Sequence, residues 1–172
     1  MHIYTGGQEQ TLLVRDTVGR RINISVLNNE YRVITALERA RIQVFISYYM
    51  MGEDVTSSKK GAISVTFLSL LTSDIEISWD LMFNDEAVYI KKLIASTPLR
   101  YTAFHINMPD EKIYHFFKAL IISSLPKEYR ASIRIHLGSH LECNYKLCSF
   151  GLPAEDCPVR FLLFILFLTT QK

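Results

Sequence analysis

Glycine and proline are scarce in this sequence, seven and five among 172 residues. Flexible linkers, collagen-like repeats and low-complexity tracts depend on one or both, so a long disordered region is not expected. Cysteine is scarcer still. Cys143, Cys148 and Cys157 all lie in the last third, and an odd number confined to one region is no secreted disulfide framework. Charge of one sign is also lacking. Nineteen Lys and Arg against seventeen Asp and Glu leave +2, too near neutral for a surface that coats nucleic acid wholesale. The N-terminal residues MHIYTGG carry neither the basic nor the apolar region of an export signal, so the protein is expected to be intracellular and not secreted.

Catalytic signatures are missing as well. Gly6-Gly7 is followed by no further glycines and no Lys-Ser/Thr pair, which leaves nucleotide binding without a phosphate loop. No Gly-x-Ser-x-Gly or His-Glu-x-x-His occurs. The carboxylate pairs Asp85/Glu86 and Asp110/Glu111 stand at expected helix starts, where the positive end of the helix dipole accounts for them. No catalytic residue, cofactor or small-molecule substrate is therefore expected.

What is present is a hydrophobic fraction of 49%, enough for a core, arranged in two periods. Thr11 to Arg15 reads as a short strand. Ile22, Ile24 and Val26 alternate with polar residues, as do Ile63, Val65 and Phe67, then Ile75 to Trp79, and later Ile133, Ile135 and Leu137. Such alternation marks half-buried strands, and the 63–67 and 75–79 segments look like a hairpin. Leu99 to Asn107 is a further strand. A Thr35/Glu38 capping box opens a helix over Ala36 to Met51, with Leu37, Val44, Tyr48 and Met51 on its periodic face. Asn84 or Asp85 caps another through Ala95. Pro109-Asp110-Glu111 starts a third, with Ile113, Phe116, Phe117, Leu120 and Ile121 lining one face down to Ser124, where Leu125-Pro126 stops it. Paired strands are as frequent as strand–helix alternation. The expectation is an α+β fold, one domain over 1–172, with an antiparallel or mixed sheet and two to three packed helices. The C-terminal tail, 139–172, has no assigned structure.

Three features remain. His136, His140, Cys143 and Cys148 carry the nitrogen and sulfur ligands that zinc prefers. Yet they lack a Cys-x2-Cys knuckle, and buried cysteines with strand-face histidines explain them without a metal. The basic pairs Arg20-Arg21, Lys59-Lys60 and Lys91-Lys92 could meet RNA phosphates or anionic lipid. Lys59-Lys60 stands out because its loop, Glu53 to Gly61, includes Asp54 and has no apolar period. The run FLLFILFL, Phe161 to Leu168, is eight residues long, against the roughly 20 that a membrane-spanning helix needs. It reads as a buried strand, with membrane or partner contact as alternatives. The aromatic doublets Tyr48-Tyr49 and Phe116-Phe117 would each turn one member inward and its neighbour about 100° away, toward a contact surface.

Across Arg21 to Gly52, the strand INISV, the turn NNE, the pair YR and a helix ending SYYMMG resemble the opening of the rhabdovirus matrix-protein domain. The Lys-bearing loop and AISVTFLSLL continue that order, and the chain size is similar to that of matrix proteins from plant-infecting members. The resemblance spans about a third of the chain. It implies a virion structural protein of the host cytoplasm that polymerises, binds the nucleoprotein–RNA core and condenses it against membrane lipids. It also implies a self-association loop matching Glu53, Asp54, Lys59 and Lys60. The chain departs from the animal-virus pattern in lacking a Lys-rich N-terminal arm and the Pro-Pro-x-Tyr and Pro-Thr/Ser-Ala-Pro budding motifs. Two other functions are open: an accessory protein binding a host partner or membrane surface through its apolar tail, and a hydrolase pairing Cys143, Cys148 or Cys157 with His136 or His140.

Overall fold

The computed structural model describes residues 9–26, 36–52, 59–68, 92, 99–124 and 127–153. Five strands form one sheet: β1 (Glu9–Arg15), β2 (Arg21–Val26), β3 (Ala62–Phe67), β4 (Tyr101–Met108) and β5 (Ile133–Leu137), in the spatial order β1-β2-β3-β4-β5. The helices are α1 (Ala36–Gly52), α2 (Lys112–Ser124), the single turn α3 (Lys127–Arg130) and α4 (His140–Ser149).

The sheet is mixed, one of the two expected forms. Only β1 and β2 are antiparallel; β2, β3, β4 and β5 run parallel. An antiparallel sheet is therefore corrected. β3 pairs with β2 and β4, because a helical crossover such as α1 returns the chain to the same end of the sheet and forces parallel pairing. The expected hairpin partner, 75–79, and the expected helix from 84 to 95 lie outside the described residues except at Lys92, which is helical.

The tight β1–β2 connection is organised by one carboxylate. Asp16 Oδ1 accepts from the backbone N–H of Val18 at 3.2 Å and of Arg20 at 2.6 Å, while Oδ2 pairs with the Arg20 guanidinium at 2.6 Å. A short acceptor side chain of this kind replaces the ladder where the chain reverses.

Register divides the side chains into two faces, since successive residues of a strand point opposite ways. One face carries Ile22, Ile24, Ile63, Val65 and Phe67, packed with Leu147 and Leu152 at the C-terminal end of α4. The other carries Ala62, which packs with Ile46 of α1 and Leu99, and Met108 and Ile106, which pack with Tyr114, Phe117 and Ile121 of α2. Sequentially ordered parallel strands with right-handed crossovers place their connections on one face, and α1 and α2 share that face. α4, following the last strand, covers the opposite one.

The periodic face of α1 points outward, and the expected face of α2 is kept only in part, with Phe117 and Ile121 packed inward. In α1, Leu37 and Tyr48 are exposed, while Ile46 and Ser47 are buried. In α2, Ile113 and Phe116 are exposed, while Tyr114 and Phe117 are buried. Apolar residues occur around much of both helices, so periodicity leaves several candidate stripes, and contact with Ala62, Leu99 and Met108 selects among them. The Phe116-Phe117 doublet splits as anticipated, with Phe116 exposed and Phe117 buried, whereas in the other doublet Tyr48 is exposed and Tyr49 half-buried.

Part of the unassigned tail is α4. Ser139 Oγ accepts from the Glu142 N–H, and the Glu142 carboxylate accepts from the Ser139 N–H at 2.7 Å. This is a reciprocal capping box, legible in the sequence as Ser-x-x-Glu. The helix stops at Gly151, whose φ of +78° is a left-handed conformation that glycine adopts without strain. Leu152 N–H reaches back to Leu147 C=O at 3.3 Å and Gly151 N–H to Cys148 C=O at 2.9 Å, the paired bonds of a Schellman ending. Gly151 C=O then accepts from Thr17 N–H at 3.2 Å, fastening the end of α4 to the β1–β2 turn.

Candidate functional site

The most concentrated set of polar side chains lies under α4, on β4 and β5. Alternation places His105 and Asn107 of β4 and His136 of β5 on the α4 side of the sheet. All three are buried, as is Asn144 of α4. The strand pattern had suggested that His136 sits on a solvent face, opposite Ile133 and Ile135. In the structure His136 is buried and those isoleucines are only half-buried. Helices cover both faces, so polar alternates here mark a polar interior layer.

His105 Nδ1 and His136 Nε2 are 3.0 Å apart, so one of these nitrogens carries the proton and the other accepts it. The rings lie nearly parallel, with centroids 5.2 Å apart. Phe150, at the C-terminal cap of α4, meets the His105 ring edge-on at 5.0 Å and the His136 ring at 5.7 Å. Burial, and then each other's charge and that of Arg134 and Arg20, pushes His105 down to about 4. His136 is lowered by burial, then by Lys146, Arg134 and Lys118. Both imidazoles are therefore neutral at pH 7, which removes them from general acid duty there.

His140, on the first turn of α4, stacks on Phe67 at 4.8 Å, and burial lowers its pKa. Its Nδ1 lies 3.5 Å from Asn144 Nδ2. Asn107 Nδ2 donates to Thr66 C=O at 3.2 Å. Among the described residues, Asn107 Oδ1, Asn144 Oδ1 and His140 Nε2 are buried without a protein partner.

The zinc arrangement does not assemble. Among the described residues no group of three or more His, Cys, Asp or Glu side chains could hold a metal ion. Cys143 is buried with Sγ 3.8 Å from the carbonyl oxygens of His136 and Gly138, whereas Cys148 is exposed. Residues 143 and 148 are five apart on a helix and leave it on different sides. Burial also raises the Cys143 thiol, opposite to what a nucleophile requires. Cys157 lies outside the described residues.

The basic pairs separate likewise. Arg21 is buried and Arg20 is held by Asp16, so this pair does not form a surface patch, a correction that follows from its place at the start of an internal strand. Lys59, Lys60 and Lys92 are exposed. Glu53, Asp54, Lys91 and the run 161–168 lie outside the described residues. No helix among the described residues is long and apolar enough to cross a membrane. Asp110, expected to favour the start of α2, also pairs with His115 at 2.7 Å on the surface.

The outward side of α1 forms an open groove of about 530 Å³, lined by Leu37, Arg41, Val44, Phe45 and Tyr48. Leu37, Phe45 and Tyr48 are 53%, 57% and 59% exposed, unusual for three large apolar side chains on adjacent turns of one helix. Leu37, Val44 and Tyr48 belong to the periodic face that the sequence spacing marks, and the structure turns that face outward. Phe45 was missed, although its spacing three residues before Tyr48 was available.

Compared with protein-family models and with curated proteins, the chain matches none.

Proposed function

We propose that this chain is a non-enzymatic structural protein that self-associates through the outward face of α1, in keeping with its resemblance to viral matrix proteins. One observation carries the reading: the α1 groove of Leu37, Val44, Phe45 and Tyr48 falls inside the Arg21–Gly52 segment on which that resemblance rests. Self-association follows because four of the five residues lining the groove are apolar or aromatic and Arg41 is its one charged residue, so a second copy of the same face is a chemically matched partner. Three half-exposed large side chains offer on the order of 100 Å² each, well short of the roughly 800 Å² per partner of a stable interface. Association through α1 alone is accordingly weak and suited to repeated contacts.

The exposed Lys59, Lys60 and Lys92 supply the positive charge for a nucleoprotein–RNA core or for lipid headgroups in such an assembly. A cysteine hydrolase draws no support from Cys143, whose thiol is buried and held protonated. Sedimentation velocity across a hundredfold concentration range tests the proposal. The weight-average sedimentation coefficient should rise with concentration, and Phe45→Glu with Tyr48→Glu should abolish the rise while leaving circular dichroism unchanged. A concentration-independent monomer, or an oligomer indifferent to both substitutions, would refute it.

A further inference from the structure

α4 is fixed to the sheet by two unlike kinds of contact. At its C-terminal end Leu147 and Leu152 join the apolar cluster on β2 and β3. Elsewhere it lies over the His105–His136 pair, capped by Phe150, and over Asn107, with His140 and Asn144 facing inward. Three imidazoles thus lie at one helix–sheet interface, and among the described residues none of the three has a carboxylate as its hydrogen-bond partner.

The charges around them come from every neighbouring element. Arg134 stands on β5, Arg20 on the β1–β2 turn, Lys118 on α2 and Lys146 on α4 itself. Arg20 is balanced by Asp16, and Glu142 is engaged with Ser139 in the capping box. β3 contributes only the apolar Ile63, Val65 and Phe67 to this face. Among the described residues, no anion is positioned to receive an imidazolium.

We propose that α4 is an acid-released latch, drawn off the sheet when the buried histidines beneath it take up protons. The pair has room for one proton between its facing nitrogens, and a second placed there sets N–H against N–H at 3.0 Å. Opening hydrates all three rings and removes that conflict. The opened form therefore binds more protons than the closed form, and acid favours it. For His105 alone, held at about 4 closed and ordinary at 6.5 when hydrated, the opening constant rises about twentyfold between pH 7 and pH 5. The change begins as pH falls through 6.5 and is complete below about 4. What opening uncovers is the apolar face of Ile22, Ile24, Ile63, Val65 and Phe67, so the latch would couple acidity to exposure of a second adhesive surface.

Hydrogen exchange resolved by peptide, at pH 7 and pH 5 and corrected for intrinsic chemical rates, tests this on the whole chain. Protection over 140–152 should fall about twentyfold or more, while protection of α2 on the other face is retained. Equal loss in α2 would mean global acid unfolding and would overturn the latch, as would no loss in α4. His105→Gln, which keeps a polar side chain but does not titrate, should suppress the acid response at least tenfold; an unchanged response overturns the proposal. Should that variant fail to fold, the ring-proton titration of wild-type His105 decides the matter: an inflection near 6.5 refutes the latch, and one well below 5 sustains it.

Discussion

Leu141 and Leu147 make an internal comparison on a single helix. Both are leucines of α4, but Leu147 is 0% exposed, against Ile22, Ile24, Ile63, Val65 and Phe67, and Leu141 is 60% exposed. Leu147→Ala removes three carbons from a closed cluster, about 2.4 kcal/mol at roughly 0.8 kcal/mol per methylene equivalent. A residual cavity adds to this, because strand side chains locked in register relax only partly, for an expected total of about 3–4 kcal/mol. Leu141→Ala removes the same atoms from solvent and should change stability by no more than about 0.5 kcal/mol. Urea unfolding followed by circular dichroism measures both, read as the midpoint shift at constant m-value. A chain of this size has a total stability of about 5–15 kcal/mol, so the first substitution should move the midpoint visibly and the second hardly at all. Equal effects, or a larger one at Leu141, would mean that α4 does not lie on the β2–β3 face, and the latch would fall with it.

Gly151→Ala should destabilise by more than about 1 kcal/mol in the same assay, since φ is +78° and a Cβ would run into the Thr17 side chain. Loss of the capping box in Ser139→Ala should cost about 1 kcal/mol, and thermal melts in which Ser139→Asn is nearly neutral would confirm that capping is the cause. Asp16→Ala removes the partner of Arg20 from a fully buried position and should cost about 3 kcal/mol or more, with an unperturbed melting temperature as the contrary result. In a Cys157→Ser background, a thiol reagent should label Cys148 at once and Cys143 only on unfolding. Rapid labelling of both would reopen the nucleophile reading.

The strands at 22–26, 63–67 and 133–137 and the helices at 36–51 and up to Ser124 were legible because local physics sets them. Period-two alternation fits a pleat, and Pro109 with its two carboxylates suits a helix start. α4 was legible too, through Ser139 and Glu142, although His140, Cys143 and Cys148 on the same segment also carry the ligand types of a metal site. Strand direction was not legible. A strand of given composition pairs either way, and the choice depends on where a connecting helix returns the chain. Nor could alternation tell which face meets solvent. Isoleucine opposite histidine in β5 reads as inside opposite outside, yet α4 closes over the histidine. The candidate sites share this limit. His105 and His136 are 31 residues apart in the chain and meet only through β4–β5 pairing, whereas the α1 stripe was in plain view and took its meaning from being left uncovered. Sequence by itself determined where the chain is extended and where it is helical, because those preferences are settled within a few residues. Tertiary structure alone decided which side of each element is buried, because burial belongs to the pair of surfaces that meet.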